Sequence, residues 1–531
     1  MLFTRRRFLT AGALGLAGLG GLISYRWTRP PSTPLQLVLP PGDLSALDRH
    51  EPFDVCVIGS GPAGMVAAHD LASKGVATVV IESGFDLGAK RDPRINELER
   101  FENSGDIDYP IAATRVRAIG GTTTVWTGRC ARLHPLDFAP NAYTPTDAPW
   151  PITYDELEPY LYRAEKTLRV RGGDLSTYHA PRQNPLPLPA DLDIGALKSM
   201  MREIGVTVDD SPTSTGLKGE SPFRVNRDLL PRFATSPNGV LLSGATVTRL
   251  IVDSNGVISG AEVQNLDRTQ KTIRAKIFIV ACGALESTRL LHLSRPTGSD
   301  APLGNRYDGL GRGFNEHPNI GFTGKVQHSW GTISPGYELG RTHQYYEQFK
   351  QQEIGSILLV FIQSWIFRDD LSNWGIDAIK HKLGRLRQAE LRIGATAEMQ
   401  PTDSNRVSVS RNINDYFGNP VTRLSLSFSD RDRETLDRAR SVIRRIYADL
   451  GANDVEELGM TWSHHHIGGC RMGDNAKTSV VDRNLRVHDS SNLYVAGSAS
   501  FVTGGAAHPT LSIAALSHRL ADHLLQRLDR G

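Results

Sequence analysis

Phe53 to Ile58 is a short apolar, β-branched run and predicts a buried strand. A glycine-rich turn follows, and then apolar positions such as Val66 and Leu71 recur at helical spacing. The helix is predicted from Pro62 to Lys74, with Gly75 ending it. Thr78 to Ile81 predicts a second buried strand. Ala245 to Val263 shows short strand patterns joined at Ser254-Asn255-Gly256, a hairpin signal. Lys276 to Ala281 is another buried strand, and a helix starts at Gly283 and runs through Leu291.

Further along, Val407–Ser410 and Leu424–Phe428 alternate apolar and polar residues, as antiparallel strands do, with the turn at Asp415 to Asn419. Leu436, Ala439, Ile443, Ile446 and Leu450 share one face of a helix from Asp430 to Leu450, and Gly451 lies past its end. The arginines of this helix read as its solvated face. Leu493 to Ala496 predicts a strand, and Pro509 opens a last helix to Gln526. Gln344 to Lys380 mixes aromatic and polar residues and carries no assignment.

Composition changes this picture little. The 531 residues carry 60 basic and 57 acidic side chains, a formal charge of +3, so nothing points to nucleic acid. Four cysteines, at 56, 130, 282 and 470, stand far apart, without metal-ligand spacing or a disulfide framework.

The first turn carries chemistry. Gly59, Gly61 and Gly64 have G-x-G-x-x-G spacing between a strand and a helix. They permit the tight turn, the approach of a pyrophosphate and close helix packing, in that order. Glu82 stands at the end of the second strand, where a carboxylate accepts hydrogen bonds from ribose hydroxyls; an acid there favours FAD or NAD over NADP.

Beyond this turn the chain resembles the glucose–methanol–choline (GMC) oxidoreductases over most of residues 50–527. The resemblance rests on GSGPAG with Glu82, IGGTTTVWTGR (Ile119–Arg129), IVACGALESTRLL (Ile279–Leu291) and GLGRGFNEHP (Gly309–Pro318). HHHIGGCRMG and LYVAGSASFVTGGAAHPT complete it near the C-terminus. WPITYDELEPYLYRAEKTLRV (Trp150–Val170) looks like the bacterial sugar-dehydrogenase and pyranose-oxidase branch. The resemblance implies FAD and an α/β, Rossmann-like flavin-binding lobe of GMC type. Beside it stands an α+β substrate-binding lobe with an antiparallel sheet. The flavin lobe is expected from 50–155, 236–318 and 455–531, and the substrate lobe from 156–235 and 319–454.

The resemblance places Gly121, Thr122, Trp126, Thr127, Val247, Gly497, Pro509 and Thr510 at the cofactor with Gly59, Gly61, Gly64 and Glu82. Pyranose oxidases carry a flavin-bonding histidine just before the tryptophan; here it is Val125, so the FAD is expected to be non-covalent. The resemblance also places the catalytic base at His465, six residues before Arg471, and its partner at His508. His464 and His466 are the alternatives, pointing to the other face if the run is a strand. The run as a metal site lacks acidic or cysteine partners nearby.

The implied activity is oxidation of a sugar or glycoside hydroxyl, with a quinone or cytochrome as acceptor. An oxidase using oxygen is the alternative, and a lyase on the same fold a third. The N-terminus, Thr4-Arg5-Arg6-Arg7-Phe8-Leu9 with a glycine-rich apolar stretch, matches a twin-arginine export signal within 1–28. A retained membrane anchor is the alternative. A Pro-rich linker is expected over 29–49.

Overall fold

The computed structural model describes residues 38–87, 92–145, 149–173, 175–190, 193–217, 222–326, 338–364 and 389–529. The twin-arginine segment, with the start of the linker, lies outside them.

Five strands form a parallel sheet in the order Leu493–Val495, Ala275–Val280, Phe53–Ile58, Thr78–Ile81, Gly239–Leu242. Val57 pairs with Ile279 on one side and Val80 on the other. The central strands are buried on both faces, which is why they read as unbroken apolar runs. The helix Pro62–Ala72 covers the sheet and ends before Gly75, whose φ is +91°. The C-terminal helix Pro509–Leu528 packs against it.

The linker expectation fails at its C-terminal end. Val38 bridges Leu241 of the parallel sheet, and Leu39, Leu44 and Leu47 are buried in the same core. The burial of these three leucines pulls the segment onto the sheet edge, and Leu44–Arg49 closes as a 3-10 turn.

The hairpin expected at Ser254-Asn255-Gly256 joins Ala245–Val252 to Ile258–Asn265. Gly256 has φ +80°, and a Cβ there would stand 1.8 Å from the Asp489 carbonyl oxygen. The strands Arg406–Asn414 and Pro420–Ser425 pair around the Asp415–Asn419 turn. They join Phe101–Asn103, and Val407 and Leu424 belong to the first core rather than to the large antiparallel sheet.

That second sheet has the order Glu338–Thr342, Ile357–Ser364, Ala389–Ala397, Pro318–Val326, Asn453–Trp462. The helix Asp430–Asp449 packs on it through Leu436, Ala439, Ile443 and Ile446. Burying each Leu or Ile contributes roughly 1.5–3 kcal/mol. Ser429 caps the helix in a box with Asp432. The Tyr447 hydroxyl donates to the Leu391 carbonyl at 2.7 Å and accepts from Ile393 N–H at 3.2 Å, tying the helix end to the sheet. The unassigned region beginning at Gln344 forms the helix Gln344–Gln351 and the strand Ile357–Ser364; its continuation beyond 364 lies outside the described residues.

Candidate active site

The strand Asn453–Trp462 pairs with Pro318–Val326 as far as the Pro318–Trp462 pair. Immediately beyond it comes the three-histidine run. That run is not a strand: His464 has φ +63°, and the His465 N–H donates to the Glu316 carboxylate instead of to a ladder partner. The three rings therefore do not alternate about a pleat. His464 is exposed. His466 turns away, its Nε2 hydrogen-bonded with the Thr114 and Tyr109 hydroxyls at 2.9 and 3.1 Å.

His465 instead meets His317. Their Nδ1 atoms are 2.8 Å apart, with rings nearly perpendicular at 86°. The His508 ring faces His465 edge-on, centroids 5.3 Å apart. His508 occupies the N-cap of the helix Pro509–Leu528 without capping it through its side chain. The first-turn N–H groups and the positive end of the helix dipole thus remain available beside the pair.

All of these imidazoles are held neutral. Burial lowers His465 well below the usual histidine range, with His317, its two flanking histidines and Arg129 adding to it. Burial lowers His508 likewise, with Arg341, His465 and Arg129 contributing. His317 is brought down to about 4 and His466 to about 3 by burial. Burial pushes Glu316 up to about 8. Arg129 and the fully buried Arg341 share the Glu338 carboxylate. Their positive field favours a developing alkoxide.

The loop carrying His508 is clamped from behind. Trp150 Nε1 donates to Thr503 Oγ1 at 2.9 Å, and Ala506 N–H donates to the Tyr346 hydroxyl at 3.1 Å. Tyr346 in turn donates to Asp137 at 2.6 Å, and Lys350 bridges Asp137 and Glu398 at 2.5 and 3.1 Å.

The nucleotide turn adjoins this site. A Cβ on Gly64 would sit 2.0 Å from the Gly59 carbonyl oxygen, and one on Gly59 would sit 2.5 Å from that of Ala281. Gly61 faces open space, as an approaching pyrophosphate requires. Glu82 accepts from Ser60 N–H at 3.0 Å, Ser60 Oγ at 2.7 Å and Gly84 N–H at 2.7 Å. Ser60 Oγ also accepts from Gly120 N–H at 3.1 Å, which brings Gly121 against Gly61. Gly497, at φ +108°, lies against Ala63 of the first helix.

Trp126 is anchored through Nε1 to the Phe223 carbonyl at 2.7 Å. Thr122 and Thr127 are exposed beside it, and Val125 is 60% exposed. Thr510 is the second residue of the last helix. Val247 lies in the strand Ala245–Val252 of a separate three-stranded sheet, next to Thr246, whose hydroxyl pairs with that of Ser83 at 2.6 Å. A glycine cradle at a helix N-terminus, an acid at the second strand and a histidine pair at a second helix N-terminus fit FAD.

A GMC oxidoreductase family model matches residues 53–319 with its N-terminal part and 401–517 with its C-terminal part. The chain belongs to the GMC oxidoreductase family. It is 26% identical to the fructose dehydrogenase large subunit of Gluconobacter japonicus, over 90% of this chain and 98% of that one. It is 29% identical to paromamine 6'-oxidase of Streptomyces fradiae, over 88% and 90%. It is 25% identical to C-glycoside 3-oxidase of Microbacterium trichothecenolyticum, over 90% and 97%. Among solved structures, pyridoxine 4-oxidase from Mesorbium loti has the same fold, with TM-score 0.63 and 19% identity over 90% of this chain and 99% of that one. As a GMC member, this protein is an FAD-binding oxidoreductase acting on CH–OH donors.

Several residues that meet the histidines of this site carry weaker signals in the sequence. Glu316 and His317 stand in the GLGRGFNEHP segment, and Arg129 ends IGGTTTVWTGR. An Asn-Glu-His run entering a buried strand was the available signal, since buried polar groups need partners. Arg341 and Tyr109 carried no local signal.

A separate buried group, His179, Asp209 and His343, brings ligand atoms within 4.8 Å of one another. The Asp209 carboxylate already accepts from Ser176 N–H at 2.8 Å and Ser176 Oγ at 2.7 Å. The Arg341 charge acts on both histidines and opposes a cation there.

Proposed function

We propose that this protein oxidises a primary or secondary hydroxyl of a sugar or glycoside to the carbonyl. The electrons then pass to a quinone, a cytochrome or another acceptor. The observation that carries this reading is the His465–His508 pair, neutral and face to edge. When bound, FAD supplies the hydride acceptor. His465 takes the hydroxyl proton, and His508 donates a hydrogen bond to the alkoxide. Arg129 and Arg341 add positive potential at His508. The names of the fructose, paromamine and C-glycoside relatives support a sugar or glycoside as donor.

Oxygen as acceptor is the second reading, favoured by the relatives named oxidases. Purified holoenzyme mixed under nitrogen with free sugars and glycosides, D-fructose and D-glucose among them, should lose its flavin absorbance with at least one. Admitting air then decides the acceptor: rapid return of colour indicates oxygen, and persistent bleaching indicates a dehydrogenase. A flavin that no sugar bleaches would overturn the substrate class.

Val125 offers no nucleophile where covalent relatives have histidine, so acid precipitation should release the FAD into the supernatant. Flavin retained by the washed pellet would reject this. Export through the twin-arginine route is the companion proposal, motivated by Arg5 and Arg6. Replacing both with lysine should trap the protein in the cytoplasm, and undiminished export would refute it.

A further inference from the structure

We propose that His317 is a positioning residue that sets the tautomer of His465, leaving Nε2 of His465 bare to accept the hydroxyl proton. A neutral imidazole is a base at one nitrogen only, so which nitrogen carries the hydrogen decides whether it can work. His465 is fixed through Nδ1, at 2.8 Å from Nδ1 of His317. One of these two nitrogens must carry a proton and the other a lone pair.

The surroundings of His317 decide between them. His317 is fully buried. Its Nε2 has no hydrogen-bond partner among the described residues, and a Cβ on Gly504 would stand 2.8 Å from it. The Gly504 and Gly505 backbone favours a proton on His317, as does the Asp137 carboxylate. Of the two tautomers of neutral His317, only the one with its N–H at Nε2 leaves Nδ1 free to accept from His465 and keeps that bond when His465 is protonated. Its Nδ1 then carries the lone pair, and His465 must donate through Nδ1–H. The Nε2 of His465 makes no hydrogen bond among the described residues and is left as the base.

The arrangement also serves the charged state. When His465 takes the hydroxyl proton at Nε2, it becomes an imidazolium, and its Nδ1–H bond to His317 becomes charge-assisted. The Glu316 carboxyl, receiving the His465 N–H, holds the backbone in place. The groups facing His465 are His464 and His466 on its own segment, His508, Glu316, His317 and Arg129.

The proposal rests on the sugar-oxidation reading only for its kinetic arm. The first measurement needs no substrate. In holoenzyme labelled with 15N-histidine, the His465 signals are assigned by their loss in His465→Ala. Nδ1 should be protonated and Nε2 not; the opposite tautomer in the wild type overturns the proposal.

The kinetic arm uses the sugar that bleaches the flavin fastest. His317→Leu, which removes the acceptor, should slow the limiting rate of flavin reduction by about 10²-fold or more. The half-saturating sugar concentration should change little. His317→Gln keeps an acceptor oxygen for Nδ1–H, so it should recover most of that loss. A folded, FAD-loaded His317→Leu at the wild-type rate overturns the proposal, as do equal losses in the leucine and glutamine variants. If His317→Leu does not fold, the wild-type tautomer and the glutamine variant decide. If no sugar bleaches the flavin, the substrate reading fails while the tautomer is still measured.

Discussion

The pH at which His465 begins to work follows from its surroundings. Burial and the neighbouring His317, His464, His466 and Arg129 place its pKa well below 6.5. A base acts in its neutral form, so the rate should rise with pH below 6.5 and be flat from there to about pH 7, below the range in which Glu316, raised to about 8, loses its proton. Without this lowering the limb would cross neutrality. In His465→Ala, stopped-flow flavin reduction should be about 10²–10⁴-fold slower, with FAD still bound and the limb gone. His508→Asn should be milder, because an amide still donates to an alkoxide. A near wild-type rate in His465→Ala, with His466→Ala slow instead, would make His466 the base and overturn the assignment to His465. His466 is already engaged by Tyr109 and Thr114, and His464 points to solvent, so neither is arranged for that role.

At the scale of the element, the glycines of the nucleotide turn separate folding from binding. Gly64 has no room for a methyl group, because the Gly59 carbonyl would be 2.0 Å away. Gly61 has open space, so a Cβ there meets no protein atom within 4 Å. Gly64→Ala should therefore lower thermal stability even without cofactor. Gly61→Val should fold normally, with unchanged circular dichroism, but purify without FAD. Equal loss of fold in both would show that the turn tolerates no side chain at either place.

This turn was readable in sequence because its signals are local: a β-branched run, three spaced glycines, an apolar helix face and an acid after the next strand. The helix Asp430–Asp449 was readable for the same reason, through its apolar spacing and terminal glycine. The three-histidine run was not. The left-handed φ at His464 comes just before an N–H, that of His465, held by the Glu316 carboxyl 149 residues from it in sequence, and no pattern near His464 announces it. The 406–425 hairpin shows the same limit: its alternation predicts strands, but which core receives Val407 and Leu424 depends on Phe101–Asn103.

Over the whole molecule, the site depends on charges buried far from it in sequence. Lys350 lies between Asp137 and Glu398, all three almost fully buried. These partners are 213 and 48 residues from Lys350, so nothing in the sequence pairs them. Asp137 also receives the His134 N–H at 2.7 Å and the Tyr346 hydroxyl at 2.6 Å, and its own carbonyl receives Thr503 Oγ1 at 3.2 Å. The same cluster thus braces the loop that presents His508. Lys350→Met should leave the carboxylates without their cation, a loss of about 3–5 kcal/mol when one partner of a buried pair is removed. Thermal unfolding of the holoenzyme should shift downward, and flavin reduction should slow as the His508 loop loosens. Adding Glu398→Gln to Lys350→Met removes one of the two orphaned charges, so the double variant should regain part of the lost stability. A double variant no more stable than Lys350→Met would mean that Asp137 alone carries the penalty. An unchanged melting temperature in Lys350→Met would show that the cluster does not hold the loop.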